Sequence, residues 1–157
     1  MSYSITKKNV PRQQALVQRK KASAGPEMSQ AIGEALGAVF AHAHTEGMAI
    51  TGRPFARYLE VGPGPMTFEP GVFVSSPADD DEEGDGVRLV TIPGGEVAAT
   101  LHRGPYDELH QAYAAIEAWM KSERLLPGGA PWEVYLTDPT EVEDPGEWET
   151  EVYWPVA

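Results

Sequence analysis

The alternation of apolar and polar residues predicts strands and helices in a repeated order. Apolar residues at spacings of three and four indicate an amphipathic helix, and period-two alternation indicates a half-buried strand. The helical spacing occurs twice, from Glu27 to a C-cap at Gly47 and from Tyr106 or Asp107 to about Leu125. Strands are predicted at residues 14–22, 55–61, 66–75, 87–92, 96–102, 131–137 and 150–156.

The second half of the chain repeats the first at an offset of about 80 residues. Residues 15–19 correspond to 97–101, residues 54–59 (PFARYL) to 131–136 (PWEVYL), and residues 71–74 (GVFV) to 151–154 (EVYW). Each copy has the order strand, helix, strand, strand. The sequence therefore predicts an α+β fold of two such units related by pseudo-twofold symmetry, with an antiparallel sheet, two long helices and a central cleft where the units meet.

Length and composition favour one domain made of two halves. With 157 residues and 41% hydrophobic residues, the chain can bury one substantial core. We expect an N-terminal arm at residues 1–9, a first repeat unit at 10–77, an acidic linker at 78–86 and a second repeat unit at 87–157. The linker has six acids between Asp79 and Gly86, which suggests either a cation site or a solvated connection. The connection is favoured, because calcium loops space their acids with other ligands and a defined glycine.

Charge and cysteine content exclude several function classes. A net charge of -12 argues against direct binding to nucleic acid or to an anionic membrane, which requires clustered basic residues. The absence of cysteine excludes disulfides and thiolate metal sites and is typical of a cytoplasmic protein. The sequence shows no signal peptide and no apolar run long enough to cross a membrane. The histidines lack ligand spacing, so we expect neither a metal site nor a cofactor.

Candidate chemistry lies on the last two predicted strands. Alternation separates Glu133 and Tyr135 from Trp132, which we expect on the helix-covered face, and it separates Glu151 and Tyr153 from their apolar neighbours. Aromatic rings around a carboxylate suit flat organic cations, since each cation-π contact contributes about 0.5–2 kcal/mol. Alternatively, the tyrosines are ordinary half-exposed sheet residues and the acids are surface or structural carboxylates. The candidate ligand-binding residues are Phe55, Tyr58, Phe68, Phe73, Glu133, Tyr135, Trp148, Glu151 and Tyr153.

Four segments of the second half form a specific combination: residues 92–98 (IPGGEVA), 102–109 (HRGPYDEL), 133–139 (EVYLTDP) and 150–156 (TEVYWPV). In this order they resemble the GyrI-like small-molecule-binding family, which includes the effector-binding domains of AraC-type and MerR-type multidrug regulators. The resemblance implies a duplicated strand-helix-strand-strand fold of the SHS2 type with the ligand between the units. It also implies that a buried glutamate among aromatic residues receives lipophilic cations. Glu133 matches that position, although an alignment shifted by two would select Tyr135.

The resemblance leaves three functions open. Regulators of this family carry a helix-turn-helix ahead of the domain, and here nine residues precede the first predicted unit. We therefore expect a stand-alone cytoplasmic protein that binds planar aromatic or lipophilic cationic molecules and contributes to drug or toxin tolerance. The first alternative is a cofactor-free hydrolase that opens the cyclopropane ring of DNA-alkylating polycyclic compounds, with Glu133 as its catalytic residue. The second is a protein-interaction module such as a gyrase modulator; the sequence does not identify a protein partner.

Overall fold

The computed structural model describes residues 3–23, 25–60, 64–75, 86–138 and 140–157. The chain divides into two compact units, which we call the α1 unit (Pro11–Gly94) and the α2 unit (the residues up to Val10 together with Gly95–Ala157). Each unit combines antiparallel strands with one long helix, so the predicted α+β class is confirmed. The predicted boundaries of the repeat units stay a prediction. Most of the predicted linker lies outside the described residues.

The α1 unit contains one helix and an antiparallel sheet in the order β4-β5-β2-β6, with the short strand β3 also paired to β5. Its elements are β2 (Gln13–Gln18), β3 (Lys20–Ala22), α1 (Pro26–Glu46), β4 (Ala49–Tyr58), β5 (Met66–Ser75) and β6 (Val87–Ile92).

The α2 unit has the same arrangement of strands relative to its helix, in the order β8-β9-β7-β1. This agreement is expected of a duplicated unit. Its elements are β1 (Thr6–Val10), β7 (Gly95–Arg103), α2 (Leu109–Ser122), β8 (Trp132–Tyr135) and β9 (Glu149–Pro155), with single 3-10 turns at Tyr106–Glu108 and Pro145–Glu147.

The segment that we expected to be an N-terminal arm contains strand β1. It pairs with β7 in antiparallel register, with Thr6 opposite Ala99 and Val10 opposite Gly95. The prediction was wrong because every residue of β1 before Val10 is exposed, so this edge strand shows no apolar alternation. Backbone pairing, which leaves no mark in the hydrophobic pattern, holds this strand in the sheet.

Helix α1 ends at its predicted C-cap, Gly47, and begins at Pro26, one residue before the predicted start. Pro26 occupies the first turn, where a missing N–H costs little, and Gly47 closes the helix in the left-handed conformation with φ 66°. The buried face includes Val39 and Ala43, which pack against Leu16, Val72 and other apolar residues of the sheet. This layer is the core of the α1 unit.

A proline followed by a glycine inside a strand predicts a bulge or an interruption, but β5 continues through Pro70 and Gly71. The irregularity lies instead in β4, between Ile50 and Pro54. Gly71 is required by close approach, since a Cβ there would clash with the carbonyl oxygen of Leu16. The glycine therefore allows β2 to pair tightly and does not mark a break.

Helix α2 covers one face of the sheet in its own unit. Ala112, Ile116 and Met120 pack against Val152 and Trp154 of β9. The helix proper begins at Leu109, after a 3-10 turn that the sequence pattern had merged with it. Within the described part of the chain, no helix has both the length and the apolar character needed to cross a membrane.

Candidate functional site

Glu133 of β8 is the most unusual side chain of the α2 unit, because it is a carboxylate with an exposed fraction of only 5%. Its two oxygens accept hydrogen bonds from different tyrosines. The Tyr113 hydroxyl donates to Oε2 at 2.7 Å, and the Tyr135 hydroxyl donates to Oε1 at 3.0 Å. Neither hydroxyl carries positive charge, so these two hydrogen bonds orient the carboxylate without neutralising it.

Further aromatic rings extend the surroundings of this carboxylate. The Tyr106 ring lies 5.7 Å from that of Tyr135 and 5.0 Å from that of Trp148. The Trp154 ring meets Tyr113 edge-on at 5.7 Å and 70°. These distances lie in the range of favourable aromatic contacts. We call the group the Glu133 cluster; its members are Tyr106, Tyr113, Glu133, Tyr135, Trp148 and Trp154.

Strand register and helix packing together assemble the Glu133 cluster. Glu133 lies opposite Val152 in the β8–β9 ladder, and Val152 belongs to the core beneath α2, so both side chains face that helix. Tyr113 lies on the same helix face as Ala112 and Ile116, and its ring therefore reaches β8 from above. A buried tyrosine hydroxyl normally finds a polar partner, and Glu133 provides it.

A loop holds Trp148 beside Tyr106. Its indole Nε1 donates to the carbonyl oxygen of Val142 at 2.7 Å, and the preceding 3-10 turn is capped by the Asp144 carboxylate, which accepts from the backbone N–H of Gly146 at 3.0 Å. These local bonds fix the tryptophan although it precedes the strand. The loop is thus part of the candidate site.

The charge of Glu133 affects its neighbours. Burial raises the pKa of the Tyr106 hydroxyl, and the negative charges of Glu133 and Asp138 raise it further. Tyr106 therefore remains protonated at neutral pH and is available as a hydrogen-bond donor. Among the described residues, no group of three acidic or histidine side chains comes together as a metal site.

The prediction of which face of β8 is covered by the helix was wrong. We expected Trp132 under the helix and Glu133 on the opposite face, whereas Glu133 contacts Tyr113 of α2. Trp132 instead lies opposite Tyr153 in the ladder, and their rings stack at 5.4 Å. Alternation separates two faces but does not tell which one a helix covers; the pairing partner in β9 decides that.

As a result, Glu151 and Tyr153 lie on the other face of the sheet from Glu133 and Tyr135. Burial raises the pKa of Tyr153, and the charge and hydrogen bond of Glu151 raise it further. Lys8 Nζ lies 5.2 Å from the centre of the Tyr153 ring. These residues therefore form a separate group on the face away from α2.

The remaining predicted site residues belong to the α1 unit and form two pairs. The rings of Phe55 and Phe73 stack at 4.4 Å, and those of Tyr58 and Phe68 at 5.8 Å. Tyr58 corresponds to Tyr135 in the repeat, but the residue that corresponds to Glu133 is Ala56, which is fully buried. The duplicated halves thus share aromatic positions, and the α1 unit lacks the carboxylate at the matching position.

Sequence analysis missed three members of the Glu133 cluster. The spacing of apolar residues places Tyr113 on the apolar face of the second predicted helix, alternation places Trp154 on the apolar face of the last strand, and Tyr106 marks only the start of the helix. A usable signal existed for Tyr113, because a tyrosine within an otherwise apolar helix face brings a hydroxyl that needs a buried acceptor. No comparable signal marks Tyr106, whose position depends on the loop that carries Trp148.

Comparisons with known proteins agree with this description. Residues 3–157 match the family model described as the GyrI-like small molecule binding domain. No curated protein matches the sequence closely enough to add a functional comparison.

Solved structures share the fold over nearly the whole chain. The C-terminal domain of EcmrR is 24% identical, with a TM-score of 0.86 over 100% of this chain and 99% of that one. A hydrolase from Listeria innocua is 16% identical, with a TM-score of 0.66 over 98% and 91% of the two chains. SAV2435 bound to tetraphenylphosphonium is 12% identical, with a TM-score of 0.60 over 100% and 94%. At these identities the likeness shows the fold alone.

Proposed function

The chain belongs to the GyrI-like small-molecule-binding domain family, and we propose that its ligands are planar aromatic or lipophilic organic cations bound at the Glu133 cluster. The observation that carries this proposal is a buried carboxylate held by two tyrosine hydroxyls and surrounded by aromatic rings. A cation would gain charge complementarity from Glu133 and cation-π contact from the rings.

The rings and the carboxylate contribute differently to selectivity. Aromatic side chains accept many flat or bulky apolar shapes, so they define a broad ligand class. The carboxylate discriminates by charge, because a buried negative charge attracts a cation and repels an anion more strongly than an exposed one does. The resulting site would accept ligands of many shapes but only those with a positive charge. The net charge of -12 further favours cationic over anionic ligands.

A pair of probes with the same shape and opposite charge tests the proposal. Tetraphenylphosphonium should bind saturably by isothermal titration calorimetry, whereas tetraphenylborate should bind much more weakly. Replacing Glu133 by Gln should weaken tetraphenylphosphonium binding at least about tenfold, since the charge pair is lost in a partly desolvated site. The variant should reduce the difference between the two probes.

The matched control is Glu96→Gln, which removes the same charge from an exposed residue of the α2 unit that is paired with Lys7. It should leave the affinity for tetraphenylphosphonium nearly unchanged. Equal losses in the two variants would show that overall charge, and not the Glu133 cluster, attracts the cation. Absence of saturable binding by the wild-type protein would remove the proposal.

The orientation of Glu133 also supports the hydrolase as a second candidate. A carboxylate held in one orientation by two tyrosine donors is suited to act as a general base that positions an attacking water. The decisive measurement is the mass of a cyclopropane-bearing polycyclic compound after incubation. If the wild-type protein is a hydrolase, the mass of the compound rises by that of one water molecule. This increase should be absent after incubation with Glu133→Gln. Binding without any mass gain would favour the simple binding function.

A further inference from the structure

A second cluster of charged side chains lies in the α1 unit, around the fully buried carboxylate of Glu69. Arg57 donates to Glu69 Oε1 from Nη2 at 2.6 Å and from Nε at 3.1 Å. Arg88 and Arg19 each donate from Nη2 to Oε2, at 2.8 Å and 3.1 Å. We call these four residues the arginine cluster.

The position of Glu69 in β5 explains how three arginines converge on it. Strand β3 pairs with β5 up to Phe68, and β2 pairs with β5 from Gly71 onward, so Glu69 lies at the break between the two strands. Its side chain points to the face opposite that of Val72, which packs in the core with α1. Arg19 lies in the short gap between β2 and β3.

The charges of the arginine cluster do not balance. Among the described residues, one carboxylate faces three guanidinium groups, so these four side chains together carry two positive charges in a chain whose net charge is -12. A single arginine would neutralise Glu69, and each additional guanidinium repels the others. The excess of positive charge is the feature that needs an explanation.

The guanidinium groups remain accessible although the carboxylate does not. The side chains of Arg57, Arg88 and Arg19 are 16%, 20% and 52% exposed, whereas that of Glu69 is 0% exposed. Each guanidinium offers five N–H donors, and Glu69 accepts from four of the fifteen in the cluster. Glu69 thus holds the three groups together from the buried side.

The fold itself does not demand these arginines. In the repeat, Arg57 corresponds to Val134 and Arg19 corresponds to Leu101. The acidic residue is kept, since Glu69 pairs with Arg57 across the β4–β5 ladder and Glu151 pairs with Val134 across the β8–β9 ladder. The α2 unit forms the same strand order with apolar residues at both positions. The excess positive charge is therefore a property of one copy and not of the repeat.

We propose that the arginine cluster is an oxyanion site, which binds a phosphate group from the solvent side while Glu69 holds the guanidinium groups in position. Planar guanidinium groups recognise phosphate through paired N–H donors. Three guanidinium groups and the Glu69 carboxylate together carry two positive charges, which a phosphate dianion would balance and a carboxylate would not. The arginine cluster shares no residue with the Glu133 cluster, and its proposed ligand has the opposite charge.

The test uses the full chain with inorganic phosphate and with phenyl phosphate as probes. Phosphate should shift the amide signals of Arg57, Arg88 and their strand neighbours in a saturable manner by two-dimensional NMR, at constant ionic strength maintained with chloride. Arg19→Gln should weaken phosphate binding about tenfold, because it removes one charge-assisted donor. Arg19 is the most exposed member, so this variant should fold normally; Arg88→Gln serves as the second variant.

Arg12→Gln is the matched control, since it removes the same charge from an exposed residue of the same unit. It should leave phosphate binding within about twofold of the wild type, which is the screened effect of one distant charge. Equal weakening in the control, or linear signal shifts without saturation, would overturn the proposal. Tighter binding of phenyl phosphate than of inorganic phosphate would identify an organic phosphate ester as the ligand, and equal affinities would identify free phosphate.

Discussion

At the scale of single residues, Glu133 depends on the tyrosine hydroxyls that donate to it from α2 and from its own strand. The sequence predicted the carboxylate and Tyr135, because alternation places residues two apart on one face. It did not predict Tyr113, since that contact joins residues of a helix and a strand that are distant in sequence. Identifying a buried charge from sequence was therefore easier than identifying its partners.

Replacing Tyr113 by Phe tests the donor directly. The ring and its packing against Trp154 are kept, and the hydrogen bond to the Glu133 carboxylate is removed. We expect the free energy of unfolding to fall by about 1.5–3 kcal/mol, the usual contribution of a hydrogen bond to a charged group. Urea denaturation at neutral pH measures this. Tyr3→Phe removes a hydroxyl that is hydrogen-bonded to Nδ1 of the buried His102 at 2.9 Å, so it compares the loss of a bond to an imidazole with the loss of a bond to a carboxylate.

The second residue-scale prediction concerns the pH dependence given by Glu69. Burial alone would raise the pKa of Glu69, but the hydrogen bonds and charge of Arg57, together with Arg19 and Arg88, outweigh burial and lower it. A lowered pKa in the folded state means that the ionised carboxylate stabilises the fold above its unfolded pKa. This stabilisation is lost as the pH falls through the folded pKa.

Glu69→Gln should therefore destabilise the protein by about 3–5 kcal/mol at neutral pH, since three arginines lose their buried partner. The difference from the wild type should shrink on acidification, because the wild-type carboxyl then becomes neutral as well. Denaturation curves recorded from pH 7 down to pH 3 would measure both. A difference that stays constant over this range would contradict the assigned ionisation.

At the scale of elements, the glycines of α1 have open space around them, whereas Gly71 of β5 lies against the backbone of a neighbouring strand. Glycines inside a helical pattern, such as Gly33 and Gly37, predict close packing of the helix against the sheet. No described heavy atom lies within 4 Å of a Cβ built at either position, however, and both residues are exposed. That prediction was wrong. Gly71, which suggested an irregular strand, is the glycine that close approach requires.

Alanine substitutions should separate these two cases. Gly33→Ala and Gly37→Ala should each stabilise the protein by about 1 kcal/mol, because alanine is the better helix former and space is available. Gly71→Ala should be strongly destabilising, since its Cβ would meet the Leu16 carbonyl oxygen. Thermal unfolding of the three variants measures the effects. A loss of stability on changing Gly33 or Gly37 would indicate a contact that the described residues do not contain.

Element boundaries were predictable where the hydrophobic pattern was strong. Strands β5 and β6 match their predicted ranges, and α1 begins one residue earlier than predicted, at Pro26. β1 was missed because its exposed polar residues carry no pattern. The side of β8 that faces α2 was predicted wrongly, because the register of β8 with β9 determines which of its side chains lie beneath the helix. In each failure the deciding interaction joins segments far apart in sequence, which local patterns cannot report.

At the scale of the whole molecule, duplication and charge give a prediction about stoichiometry. The aromatic positions are repeated, but the residue matching Glu133 in the other copy is Ala56. We therefore expect one cation per chain, measured by calorimetry with tetraphenylphosphonium. Two equivalent sites per chain would show that the carboxylate does not determine where the ligand binds.

The net charge of the chain should also speed cation association at low salt, so the association rate should fall as sodium chloride is added.

The pairing of β1 with β7 has a consequence for synthesis. Residues near the start of the chain can complete their sheet only after β7 has left the ribosome, some 90 residues later. The α1 unit is translated in between and can fold first, while β1 waits as an unpaired segment. Of the two units, the one that carries Glu133 is therefore the second to complete its sheet.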